Sequence, residues 1–322
     1  MAVAQNQQSV PIGSKLSWIS RAVGARSRVQ TNKALWGYAF SLPWIIGLIV
    51  FWGGPIVASL YFGFTEYGIT SAPKWVGLAN YTRAFTADNL FWSSLGRTFT
   101  FAALYVPVAI VGALLLAVML NQKLVGTNIF RTVFFVPHLI PAVALAVVWT
   151  YLLQPTLGPV NAFLRDLGVD NPPAWFTSMD TALYSVTMIN IWAAVGGNTM
   201  LIFLAGLQGV PQELYDAAVV DGCTELSVVW KIVLPLSGPG LVAVAVVSFF
   251  FAWNEYLYAS ILLGKAELMP ASVGLTTLKS IASTPVEQYM AAGLIFSILP
   301  VLFYLAMQRY IVSGLTAGAV KG

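Results

Sequence analysis

The chain has 322 residues, 58% of them hydrophobic and 9% charged, with a net charge of +4. Soluble domains cover their surfaces with about 25% charged residues, so an ordinary water-soluble globule is excluded. A single cysteine, Cys223, and a single histidine, His138, rule out an internal disulfide and a cysteine- or histidine-based metal cluster.

Residues 1–34 form a basic arm carrying Lys15, Arg21, Arg26, Arg28 and Lys33 with no acidic residue. Nucleic acid or a cytoplasmic membrane surface would suit such an arm. Beside an apolar block, the positive-inside rule favours the membrane anchor, and no nucleic-acid partner is expected. The first apolar block runs too long for a signal-peptide core and reads as a retained helix.

Crossing ~30 Å of hydrocarbon takes about 20 helical residues. Blocks of that kind fall at 35–62, 98–120, 134–153, 182–207, 240–263 and 289–311. Backbone groups in lipid must be satisfied within the segment, which requires helices. The expected fold is therefore all-α: a polytopic membrane protein with six transmembrane helices in one domain, 35–322. With six spans both termini share a side. Ten Lys and Arg residues fall on that side and six on the other, which places the termini in the cytoplasm.

Two loops on the opposite side, 65–97 and 154–181, are rich in turn residues, among them Pro155, Gly158, Pro159, Pro172 and Pro173. Between them, Pro137 and Pro141 flank His138 and predict a broken helix. The fourth block carries Asn190 and Asn198.

Residues 211–237 are a polar island between apolar blocks. Leu214, Ala217, Ala218 and Asp221 recur at i, i+3, i+4, i+7 and lie along one side of a short helix. Pro211 and Glu213 suit its start. Gly222 supplies a turn with positive φ. Leu226, Val229, Val233 and Leu234 begin a second helical stretch that Pro235 and Pro239 end. This helix–turn–helix is either an amphipathic connector or a docking element.

The fifth block contains Asn254, Glu255 and Tyr256. A carboxylate at the bilayer centre costs about 2.5–3.5 kcal/mol even on lenient scales, so Glu255 should face protein or a water-filled cavity. These residues, with Asn190 and Asn198, are candidates for a substrate path. They serve equally as glue between helices or as residues near the outer interface. No P-loop, G-x-S-x-G or paired-carboxylate motif occurs, so the chain carries no catalytic or ATP-binding site.

The polar island has an acidic residue, two alanines, Asp-Gly and a downstream Ile-x-Leu-Pro. These are Asp216, Ala217, Ala218, Asp221, Gly222, Ile232, Leu234 and Pro235. In that order and spacing they resemble the "EAA" coupling loop of binding-protein-dependent ABC importer permeases. Asp216 stands where glutamate is usual, and Cys223 where alanine is common. The 131–137 stretch RTVFFVP, with Pro141, Trp149, Gly158 and Asn161, is similar to the third-helix region of sugar-type permeases. The stretch 75–81 (WVGLANY) resembles their first external loop. The stretch 253–259 (WNEYLYA) and the tail from Arg309 resemble the fifth helix and C-terminus of the smaller permease of maltose-type importers, whereas the front of the chain resembles the larger one.

The resemblance implies a multi-pass subunit of a bacterial or archaeal inner membrane, without cofactor or enzymatic activity of its own. Its implied partners are a second permease, different from or identical to this chain, two ATPase subunits that hold ATP and Mg, and an external solute-binding protein. The implied substrate is a sugar or oligosaccharide; a glycerol-phosphate-type solute is the alternative. From another class, a proton- or sodium-coupled secondary transporter would use Glu255 as its ionisable group, but would favour inverted repeats.

Overall fold

The computed structural model describes residues 28–68, 72–122, 125–233, 235, 238–280 and 286–319. Two units are distinguished, 1–62 and 63–322. In the first, α1 (Arg28–Leu48) passes through a π-helical turn, Ile49–Gly53, into α2 (Gly54–Gly63). The residues from Trp36 to Tyr61 include aromatic and aliphatic side chains exposed all round. Exposed apolar side chains on every face suit a helix surrounded by lipid.

The second unit opens with a two-residue antiparallel pair, β1 (Thr65–Glu66) and β2 (Lys74–Trp75), with Thr65 opposite Trp75. The buried Asn80 amide fixes this hairpin by donating to Gly63 O (3.1 Å) and Thr65 O (2.9 Å). Asn80 belongs to α3 (Ala79–Thr86), which leads to α4 (Asn89–Asn121). The Phe91 N–H donates to Asp88 Oδ1 (2.8 Å), an N-cap that starts α4 well before the apolar block at 98.

With 33 residues, α4 extends about 50 Å at 1.5 Å per residue and forms the axis of the unit. Its buried stripe of Phe101, Tyr105, Ala109, Ala113 and Ala117 packs against neighbours, while Val108, Val111, Leu115 and Met119 are exposed. Both faces are apolar, as a helix lying between protein and lipid requires.

The block expected as one span at 134–153 is two helices, α5 (Thr127–Leu139) and α6 (Ala142–Leu152), bent by 92°. Ile140 is extended and Pro141 caps α6, as a proline that disfavours helix in its predecessor dictates. The loop that follows is ordered around α7 (Pro159–Asp166). There the fully buried Asn161 donates to Pro155 O and Pro173 O and accepts from Trp175 Nε1.

The fourth block is α8 (Ala182–Val195) and α9 (Asn198–Gln208), separated at Gly196–Gly197. Next come α10 (Gln212–Val220) and α11 (Glu225–Val228), then a π-helical turn, Val229–Val233. The fifth block differs from expectation. It ends as α12 (Gly238–Trp253), breaks at 254–256 and resumes as α13 (Leu257–Leu262). A short α14 (Ala271–Ser280) precedes α15 (Val286–Ala319), which runs beyond the block expected at 289–311. Among the described residues, five helices are long and apolar enough to cross a membrane, and six if the bent α5–α6 pair is one span.

Pro300 lies inside α15 and has no N–H for the carbonyl of Phe296 four residues earlier. The buried Trp253 indole donates to that carbonyl (3.2 Å) and stacks on the Phe296 ring at 5.2 Å. Removing the donor with Trp253→Phe should cost about 1 kcal/mol. That loss should shrink in a Pro300→Ala background, where residue 300 regains its own N–H. Thermal unfolding of the four detergent-purified proteins measures this coupling.

Candidate functional site

Three interruptions of helix converge on a cavity of about 390 Å³. The α5–α6 bend contributes His138 and Ile140, the α8–α9 break contributes Asn190 and Asn198, and α12–α13 contribute Phe251 and Tyr258. Tyr105 of α4 closes the wall, with its ring 5.6 Å from Phe101 and 5.4 Å from Phe251. Among the described residues, the lining contains neither Lys, Arg, Asp nor Glu.

Asn190 donates its amide to Val186 O one turn back (2.9 Å). A carbonyl can only accept, so this bond fixes the orientation of the amide. Asn190 Oδ1 is left buried without a protein partner. A buried acceptor in that state favours a ligand or water that can donate.

The other three path candidates are not part of this lining. Asn254 is exposed and donates to Phe250 O of its own helix, and Tyr256 is half exposed. Glu255, which the sequence places in the middle of a span, sits at the break between α12 and α13 and is buried. Its Oε1 accepts from the N–H groups of Tyr258 (2.8 Å) and Ala259 (3.2 Å). These are orphan donors of the first turn of α13, and Glu255 caps them. Its backbone carbonyl accepts from Ser272 Oγ, which ties the break to α14. The adjacent Ala271 N–H donates to Thr98 Oγ1 of α4 (2.9 Å).

Tyr105, Ser248 and Tyr258 were not among the sequence candidates, although each is a polar group inside an apolar block. That signal is the one that singled out the asparagines.

The polar island forms the helix–turn–helix of α10 and α11. Gly222 has φ +75°, a value only glycine takes without strain. The Cys223 N–H donates to Ala218 O (2.9 Å), the long bond of a Schellman closure, and both side chains join one apolar cluster. Thr224 caps α11, its Oγ1 accepting from the Ser227 N–H.

The expected shared face divides. Ala218 is buried with Val228 against Phe203, Leu204 and Leu207 of α9, whereas Leu214, Ala217, Asp221 and Gly222 are exposed. Ala218 therefore holds the loop to the helical bundle, and the outer surface is built by the others. Glu213 and Pro235 are also exposed. The side chains of Asp216 and Ile232, and the whole of Leu234, lie outside the described residues.

Interrupted spans around a cavity, joined to a structured polar loop at one end, define a membrane transport subunit. The chain belongs to the family described as binding-protein-dependent transport system inner membrane component, which matches residues 84–317. It is 40% identical over 215 residues to the probable ABC transporter permease protein YesP of Bacillus subtilis, covering 66% of this chain and 69% of that one. It is 30% identical over 218 residues to the trehalose/maltose transport system permease protein MalF of Thermococcus litoralis, covering 67% and 72%. Its fold matches a chain of a bacterial ABC transporter that imports the acidic polysaccharide alginate, with a TM-score of 0.76 and 22% identity over 88% of this chain and 96% of that chain.

Because Glu255 works as an acceptor, Glu255→Gln should keep its Oε1 bonds and transport close to the wild-type rate. Glu255→Leu leaves both N–H groups orphaned and should cost about 2 kcal/mol. Uptake by membrane vesicles and thermal unfolding separate the two variants. Loss of uptake in the Gln variant would instead give the carboxylate a role that needs its proton.

Proposed function

We propose that the chain is the permease subunit of an ATP-driven importer, forming part of the path for a sugar or oligosaccharide delivered by an external solute-binding protein. The observation that carries this reading is the helix–turn–helix of residues 211–237. It is rooted in the bundle by Ala218 and presents Leu214, Ala217, Asp221 and Gly222 outward. Such a surface suits an ATPase subunit, which would hold the ATP and Mg that this chain has no motif to bind. Two ATPases and a second permease, either a different chain or another copy, complete the proposed assembly. Both termini and the loop then face the cytoplasm.

The carbohydrate named for the Thermococcus relative supports a sugar substrate. The cavity supports it too, since its lining offers hydroxyl, amide, imidazole and aromatic groups. A glycerol-phosphate-type solute would find no Lys or Arg in that wall. The loop acts as the contact through which ATP binding and hydrolysis bias a two-state membrane element. Asp216, Ile232, Leu234 and Pro235 join the proposed contact through the resemblance of their motif.

A Cβ on Gly222 would meet no atom within 4 Å, so a side chain there acts through the outer surface and through the backbone strain of φ +75°. Gly222→Trp should abolish co-purification of a P-loop ATPase from membranes while leaving the permease folded. Asp216→Lys should lower ATP-dependent uptake in the same way. Full transport by either variant would remove the coupling role, and recovery of the wild-type chain without any ATPase would remove the whole reading.

A further inference from the structure

The pair Gly196–Gly197 separates α8 from α9, and neither residue has a positive φ. Their φ values, −88° and −86°, lie outside the left-handed region that calls for glycine. Space is the reason for glycine here. A Cβ on Gly196 would lie 2.0 Å from the backbone oxygen of Phe134 and 2.8 Å from its carbonyl carbon. A Cβ on Gly197 would lie 2.7 Å from His138 Nδ1. The last turns of α5 thus rest directly on the α8–α9 backbone.

The opposite side is closed as well. A Cβ on Gly112 of α4 would meet Val195 Cγ2 at 2.9 Å, so the end of α8 is wedged between α4 and α5. Close-packed contacts of this kind shift between discrete arrangements and do not deform smoothly.

Both ends of the contact lead to functional elements. Towards one end, α9 reaches α10 through three residues, Gly209–Val210–Pro211. These are themselves hydrogen-bonded, with Gly209 N–H to Ala205 O and Gly206 O, and Val210 N–H to Leu207 O. Towards the other end, His138 and Ile140 form part of the cavity wall facing Asn190 and Asn198.

We propose that Gly196 and Gly197 are positioning residues for transport: the contact of Gly196 with the Phe134 backbone carries a displacement of the α10 loop into the cavity wall, and Gly197 leaves the room that the His138 ring needs for that contact to form. This rests on the proposed docking of an ATPase on that loop. The glycines set the separation of α5 from α9, so a shift of α9 moves His138 and Ile140 with it.

The test uses the full complex in sealed proteoliposomes, with Ile140→Cys as a labelling site in a Cys223→Ser background. The labelling rate is measured with and without ATP. In the otherwise wild-type complex, ATP should change the rate. Gly196→Ala should keep the ATPase bound, lose the ATP response at residue 140 and lower uptake of the transported sugar about tenfold.

A second arm keeps the proposal testable if Gly196→Ala fails to accumulate. Gly197→Ala should lose the response at residue 140, His138→Ala should retain it, and the double variant should recover it because the clashing ring is gone. An unchanged response in Gly196→Ala or Gly197→Ala, or a double variant that stays silent, overturns the proposal. An ATPase bound to the wild type with no ATP response at residue 140 overturns this proposal alone. Absence of any bound ATPase overturns it together with the docking reading.

Discussion

In hydrocarbon no water replaces a lost backbone hydrogen bond, and every interruption of a spanning helix has to be repaired from within the protein. That constraint organises this chain. The α12–α13 break is repaired by the Glu255 carboxylate, which accepts from two N–H groups of α13. The carbonyl freed by Pro300 is taken by the indole of Trp253. Both groups lie within three residues of one another, so one short segment repairs two helices and fastens them to α14. The cost of placing a carboxylate in an apolar block is offset by donors that would otherwise be orphaned. An unpaired ionisable group would be a liability at the same position.

These repairs permit the cavity. A straight bundle would present only side chains to the interior. Bends at Ile140, Gly196–Gly197 and residues 254–256 displace helix ends and expose a wall with polar groups from separate elements. Among the described residues the wall carries no Lys, Arg, Asp or Glu, and its buried Asn190 oxygen has its amide committed elsewhere. The chemistry available there is hydrogen bonding and aromatic packing.

Hydropathy made the membrane class and the number of spans legible, because about 20 apolar residues have few other uses. The polar island was legible from its motif, and the positive φ of Gly222 follows from Asp-Gly chemistry. Other features were hidden for physical reasons. An apolar run does not reveal that Asn89 already lies in α4, since the start is set by the Asp88 cap and not by hydropathy. The break at Glu255 carries no proline, and only the expense of the carboxylate marked the place. Helical periodicity put Ala217 and Ala218 on one side of α10 but could not say which is covered. That depends on α9, which meets the loop only after folding. The asparagines separate for the same reason: Asn190 and Asn198 reach the cavity, whereas Asn254 is exposed and outside its lining.

The covered alanine also decides how the loop can work. With Ala218 and Val228 inside the cluster formed by Phe203, Leu204 and Leu207, α10 and α11 are continuous with the end of α9. A loop tethered only by its two chain ends would absorb a push by bending. Here the Schellman closure at Gly222 and the bonded turn at Gly209 leave little slack on either side of α10. Under the proposed docking, a push on its outer surface would be delivered to α9 as a whole. In the proposed coupling, stiffness between loop and span would matter more than any single contact on the loop surface, because it would let α10 act on the shape of the cavity.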